Sequence, residues 1–402
     1  EPRRPGVRPR RAPPLDTLPA MLSQRLVAAL DGVPVPAPAA VLDLAAVRAN
    51  ARALQSRAGG LPLRLATKSV RCRWVLDRTE LGFTGLMTYS AAESLWLARH
   101  GHRDLLLAYP TADRAALAEL VADPRLRERV TVMVDHPEHL DLLRAAGAGP
   151  TRPVRVCLDV DASLRLGPVH VGVRRSPVHS PAQGAAAARR IRRTPGLELR
   201  GLMVYDAQVA GLPDSSPLVR AVKAVSTAEL ARRRAAVVAA VREVGDVELV
   251  NAGGTGSVHL YRERHEVTEV TAGSGLFGPT LFDGYRAFRP APALFLVSPV
   301  VRRPAPGVAT VFSSGFIASG PPHANRVPVP VHPAGLRLTA SEGAGEVQTP
   351  VRGADLRVGD LVWFRPAKSG EQLERVTTVH VVDDGELVAS VPTYRGEGMS
   401  FG

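Results

Sequence analysis

Between residues 38 and 290, short apolar runs alternate with longer amphipathic ones. "AAVLDLAAVRANARALQSRAG" passes from an apolar strand into a helix with Leu44, Val47, Ala51 and Leu54 on one face. "LRLATKS", "FTGLMTYS", "DLLLAYP", "RVTVMVDH", "VRVCLDVD" and "LELRGLMVYD" each lead from a strand into a helical stretch, and "VELVNAGG" closes on a Gly-rich turn. Strands that are apolar on both faces and separated by helices belong to a parallel sheet. About eight such repeats predict an α/β fold with a closed (β/α)8 TIM-type barrel rather than an open sheet. After residue 290 the texture changes to short Val-rich segments cut by Pro and Gly, such as "RVPVPVHPAG" and "RVTTVHVVDDGELVASVPTYRG". That pattern predicts a smaller C-terminal antiparallel β domain over 291–402. Residues 1–37 form a basic Pro/Arg-rich arm and lead-in.

Composition narrows the class. The 402-residue chain is 45% hydrophobic and 22% charged, as in a soluble globular protein. No apolar run approaches the roughly 20 residues that span a bilayer, so no membrane partner is expected. The opening "EPRRPGVRPRRAPPLD" lacks the apolar centre of a secretory signal and reads as disordered. It also lacks an initiator Met, so a start further upstream is expected. Two cysteines, Cys72 and Cys157, make no disulfide framework and favour a reducing cytoplasm. The net charge of +13 does not imply a nucleic-acid partner, because its arginines are spread along helices and aromatics are only 4%. It still favours anionic ligands.

The candidate chemistry starts from a scarcity. Of 51 Lys plus Arg, three are lysines: Lys68, Lys223 and Lys368. Lys68 ends the apolar run "LRLAT", and catalytic groups of such barrels sit at the C-terminal ends of strands. A lysine in a partly desolvated mouth can form a Schiff base with an aldehyde; an ordinary surface lysine or a rim ion pair is the alternative. Lys223 belongs to the solvated face of a helix and Lys368 to a loop between β segments, where contact with a substrate carboxylate is the alternative to plain exposure. Cys72 reads as a buried structural thiol. "VNAGGTGS" (250–257) and "VTAGSGLFG" (270–278) follow the last two barrel strands. Glycines there let backbone N–H groups converge on an anion, and Thr or Ser adds a hydroxyl donor.

The early lysine, the paired glycine loops and the β domain together resemble the fold-type III pyridoxal-phosphate enzymes, the alanine racemase-like group. "LATKSVRC", "LMVYDAQVAG", "VNAGGTGS" and "EVTAGSGLFGPTLFD" are most similar to its D-threonine aldolase/D-serine dehydratase branch. The resemblance implies pyridoxal 5'-phosphate held by Lys68, with Gly253, Gly254, Thr255, Gly273, Ser274 and Gly275 at its phosphate and Tyr205 near its ring. It implies a lyase, aldolase or dehydratase, acting on a small β-hydroxy amino acid of D configuration, and a homodimer. Lys68, His170 and Tyr205 are then the candidate catalytic residues.

Two departures from the group stand out. Many members carry Arg-x-Gly-Val after the "LDVD"-like strand, and here "HVGVRRSPVH" puts His170 at that arginine's place with Arg174 close behind. The group's C-terminal metal pair, His-x-Asp or His-x-Cys, corresponds to "RPAKSGEQLE", with no His, Asp or Cys between Arg365 and Gly370. Glu371, Glu374 and His380 are nearby donors without a recognised ligand spacing, so the usual divalent metal is not expected. A protein base, His170 or His259, would then take the β-hydroxyl proton, unless these are structural histidines. An amino acid racemase on the same scaffold is the alternative, with Tyr394 as the acid/base lent by a partner subunit; so is a non-catalytic cofactor-binding protein.

Overall fold

The computed structural model describes residues 22–402 apart from residue 322, so the opening Pro/Arg stretch lies outside the described residues. A short helix (Gln24–Ala28) precedes strand β1 (Ala39–Asp43), and the helix Leu44–Ala58 follows β1 directly. The Asp43 side chain caps that helix by accepting from Ala46 N–H at 2.9 Å, and Gly59 ends it at φ 64°. Then come β2 (Leu63–Ala66), β3 (Gly85–Thr88), β4 (Leu105–Leu107), β5 (Val130–Val134) and β6 (Val154–Asp159). A hairpin of β7 (Leu164–Leu166) and β8 (Val169–Val171) interrupts the alternation before β9 (Leu197–Val204), β10 (Leu249–Ala252) and β11 (Glu269–Ala272).

Eight of these close a barrel in the order β10-β11-β2-β3-β4-β5-β6-β9, all parallel. The (β/α)8 barrel expected from the alternation is present, but its first strand is β2. The run at 39–43, read from sequence as the first barrel strand, lies elsewhere. β11 pairs with β2, Val270 opposite Leu63, and this closure leaves β1 no edge to join. β1 instead sits between β12 (Leu294–Ala305) and β18 (Thr378–Asp383), antiparallel to the former and parallel to the latter. There Val41 packs with Phe295, Val297, Trp363 and Val382. The remaining strands of this mainly antiparallel sheet are β13 (Val308–Phe312), β14 (Val329–His332), β15 (Arg337–Leu338), β16 (Gln348–Arg352), β17 (Leu361–Arg365) and β19 (Glu386–Pro392).

The barrel is filled. At its N-terminal end the Arg64 guanidinium, 1% exposed, binds Glu269 and Asp104 at 2.7 Å each, and Asn251 Nδ2 donates to Glu269 at 2.6 Å. Above this ionic floor Leu106, Met133, Cys157, Met203 and Leu249 form an apolar layer. Anything entering from the C-terminal side therefore meets a closed floor.

Tyr394 is fully buried. Its Oη donates to Glu93 Oε1 at 2.9 Å, and its ring meets Trp96 and Phe401 edge-on at 5.0 and 5.5 Å. A tyrosine locked inside its own subunit is not available to a partner, which removes the residue on which the racemase alternative rested. Burial pushes the Glu93 carboxyl up to about 7 against the hydrogen bond from Tyr89 N–H. Tyr394→Phe is expected to cost about 1–3 kcal/mol in urea unfolding, because it leaves a buried acceptor short of a donor. Because the folded state keeps the Glu93 proton longer than the unfolded chain, its contribution is full at low pH and lost as pH rises from the ordinary 4.5 to about 7. Glu93→Gln should remove that part of the decline.

Candidate active site

Six strand ends meet at the mouth of the barrel. A cleft of about 550 Å³ is lined by Lys68 after β2, Tyr109 after β4, Arg175 after the hairpin, Tyr205 after β9, and the two glycine loops after β10 and β11. Of the residues singled out from sequence, Lys68, Tyr205, Gly253, Gly254, Thr255, Gly273 and Ser274 all line it. Gly275 lies just behind, where its N–H donates to Thr255 Oγ1 at 3.2 Å. His170 is not brought there. It stands on β8 and lines a neighbouring hollow with Arg165, Arg174 and Arg175, its Nε2 without a hydrogen-bond partner among the described residues. The inserted hairpin displaces the chain at this point, so Arg175 reaches the cleft in its stead. His259 is also outside; its Nδ1 lies 2.9 Å from Arg57 Nη2, and burial with the charges of Arg57 and Arg262 holds it at about 4.

The glycines are required by close approach. A Cβ on Gly273 would lie 2.9 Å from Ala66 Cβ and 3.0 Å from the Ala66 carbonyl, on the strand that delivers Lys68. A Cβ on Gly254 would meet the Tyr205 ring at 3.0 Å, and Gly253 has φ +78°. Thr255 Oγ1 accepts from the N–H groups of both Gly273 and Gly275 at 3.2 Å, which ties the two loops together. The Thr255 and Ser274 amides find no acceptor among the described residues, and both residues line the cleft. Unpaired N–H groups beside glycines without side chains form an anion cradle.

Lys68 lines the same cleft as the cradle. It is open to solvent through the mouth yet densely walled, and its Nζ donates to Tyr109 Oη at 2.7 Å. Burial works against its charge, but the facing Tyr109 and Tyr205 hydroxyls prevail and raise its pKa, with Arg175 opposing them. Burial alone would raise Tyr109; the Lys68 charge and hydrogen bond, with Arg175, bring it below the ordinary phenol value. The Arg175 guanidinium lies 5.6 Å from the Tyr109 ring centre and 5.3 Å from that of Tyr205. Sequence reading missed Tyr109 and Arg175. Tyr109 ends the run "DLLLAYP" just as Lys68 ends its own, which was the available signal.

The C-terminal sheet buttresses the lysine. Gly370 packs on the Lys68 carbonyl so closely that no side chain fits, Tyr394 N–H donates to Arg71 O at 3.0 Å, and Arg71 pairs with Glu374 at 2.8 Å. The same loop lacks the His-x-Asp or His-x-Cys pair of the branch that the sequence resembles, and its polar side chains are engaged with one another. Lys368 Nζ donates to Ser319 Oγ at 3.0 Å, Glu371 accepts from Ser319 N–H and Oγ at 2.8 and 2.6 Å, and His380 Nδ1 lies 2.8 Å from Ser390 Oγ. Among the described residues no group of three or more His, Cys, Asp or Glu side chains could hold an ion.

Residues 42–280 match the family described as alanine racemase, N-terminal domain. The chain belongs to that family. Within this alanine racemase family the chain is similar to a D-threonine aldolase of an Arthrobacter species, 29% identical over 281 residues, covering 68% of this chain and 70% of that enzyme. It is 26% identical over 253 residues to the 3-hydroxy-D-aspartate aldolase of Paracoccus denitrificans, covering 62% of each. Among solved structures, D-threonine aldolase from Filomicrobium marinum superposes with a TM-score of 0.75 at 21% identity, over 90% of this chain and 96% of that one. D-threo-3-hydroxyaspartate dehydratase from Delftia sp. HT23 gives 0.67 at 20%, over 90% and 98%. At these identities the superpositions bear on the fold, and the alanine racemase family architecture extends through the C-terminal sheet. Gly273→Ala should lower stability by about 1–3 kcal/mol in urea unfolding, since the new methyl must push the β11 loop off β2.

Proposed function

We propose that the protein is a pyridoxal-phosphate-dependent lyase that cleaves or dehydrates a β-hydroxy amino acid of D configuration. The observation that carries this reading is that Lys68, Thr255 and Ser274 line one cleft, where the Thr255 and Ser274 amides have no acceptor among the described residues. Lys68 would hold the aldehyde carbon of the cofactor. The two amides, together with the Thr255 hydroxyl hydrogen, would take its phosphate, and the Gly253, Gly254 and Gly273 backbones leave room for it. Tyr205 supplies an aromatic wall and Arg175 a positive charge for an anionic ring substituent or carboxylate. The bound cofactor supplies an electron sink for the pair left at Cα when a bond to that carbon breaks.

The protein's own work is positioning and proton handling. Once its amine is free, Lys68 takes the Cα proton in a dehydration, or returns a proton to Cα after Cα–Cβ cleavage. The closed floor below limits water from that side. The names of the aldolase relatives support the D configuration and the β-hydroxyl. The donor set around Glu371 and His380 supports no resident divalent metal. Cys72 and Cys157, free and buried, support a reducing compartment such as the cytoplasm, and no described helix is long and apolar enough to cross a membrane. A homodimer is carried over from the family resemblance and is read directly by light scattering.

Added pyridoxal 5'-phosphate should give a yellow protein whose colour borohydride fixes on the Lys68 peptide. The reduced product must map to Lys68; labelling of another lysine, or none, defeats the reading. Lys68→Ala should lower turnover of D-β-hydroxy amino acids by about 1000-fold or more. Turnover by the loaded enzyme should be unchanged by a chelator or by added manganese, measured as aldehyde or keto acid released.

A further inference from the structure

A lysine that must bond to a carbonyl carbon has to present a neutral amine, yet the surroundings of Lys68 favour its ammonium. The proton needs somewhere to go. Tyr109 Oη lies 2.7 Å from Nζ, inside the same cleft, on a strand two places removed around the barrel. The groups facing the pair act in opposite senses: Arg175 favours both the free amine and the phenolate, Tyr205 favours the ammonium and Asp159 the phenol. Arg175 stands over the Tyr109 ring and makes no ion pair among the described residues; Tyr205 faces from β9; Asp159, buried at the end of β6, is itself pushed up to about 7 by burial and by Asp135. A phenolate on Tyr109 would thus lie between two cations, Lys68 and Arg175.

We propose that Tyr109 is a catalytic residue that takes the Lys68 proton whenever the lysine must act as a free amine, and hands it back afterwards. The inference rests on the lyase reading above. In the forward step Tyr109 starts as the phenolate that accepts from Lys68: the N–H bond of the Lys68 ammonium breaks and an O–H bond forms at Tyr109 Oη. The bonding pair stays on nitrogen as the lone pair that attacks the carbonyl. The reverse step restores the ammonium. Net charge in the cleft is the same before and after, so neither solvent nor an added base is consumed.

The test reads cofactor capture rather than turnover. Apo-protein is mixed with pyridoxal 5'-phosphate, and the rate at which borohydride-fixable colour appears on Lys68 is followed from pH 6.5 to 9. In the natural protein the rate should climb with pH much less than tenfold per unit, because the phenolate takes the proton internally. In Tyr109→Phe it should be about 100-fold lower at pH 7 and climb about tenfold per pH unit, as the ammonium must lose its proton to solvent. Tyr109→His, which restores an acceptor, should recover part of the lost rate. Circular dichroism and the unfolding midpoint check that Tyr109→Phe is folded. Capture by Tyr109→Phe at the natural rate and with the natural pH profile would overturn the role of Tyr109 and leave the lyase reading intact. A natural protein that captures no cofactor at Lys68 would overturn the reading and this inference together.

Discussion

The site depends on one pairing, β11 against β2, which closes the barrel. Val270 opposite Leu63 and Ala272 opposite Leu65 bring the end of β11 beside the end of β2. Gly273 then touches Ala66, and the anion cradle stands next to the lysine that needs it. A slip of one residue would turn Lys68 from the mouth towards the helices. The register is held from below by Arg64 of β2, whose guanidinium binds Glu269 of β11 directly. An ion pair buried in the floor and a reactive amine at the mouth thus belong to the same two strands.

Charges are divided along the barrel axis. At the floor, Arg64, Glu269, Asp104 and Arg200 neutralise one another. At the mouth, Lys68 and Arg175 are balanced mainly by hydroxyl groups and aromatic faces, with the carboxyl of Asp159 buried behind them. The contrast explains why cations at the mouth remain available for an anionic ligand while the more tightly bound guanidinium below does not.

Much of this was legible in the chain. Tyr205 came from the family resemblance, but a polar residue that ends an apolar run reports a strand end directly, which is how Lys68 and the glycine loops were found. Tyr109 gave the same signal, but an aromatic after three leucines and an alanine reads equally well as core. β1 was misplaced because a strand apolar on both faces suits a barrel and a sandwiched sheet strand alike; only closure of the barrel decides between them. Arg175 was hidden by the hairpin Leu164–Val171, whose insertion shifts the arginine past the position where spacing pointed to His170. The burial of Tyr394 depends on Glu93 and Trp96, 301 and 298 residues away in sequence, a contact that local pattern does not encode.

The placing of β1 has a consequence for synthesis. Its partners β12 and β18 are made about 250 and 335 residues later, so at ordinary ribosomal rates β1 waits for tens of seconds with both edges bare. The barrel needs nothing from it and can close in the meantime. The second sheet assembles last, around the first described strand, and joins residues 40–43 to residues 379–382. Only then does Gly370 seat on the Lys68 carbonyl. Competence for chemistry therefore arrives after the barrel itself, once residues 370–383 have been made.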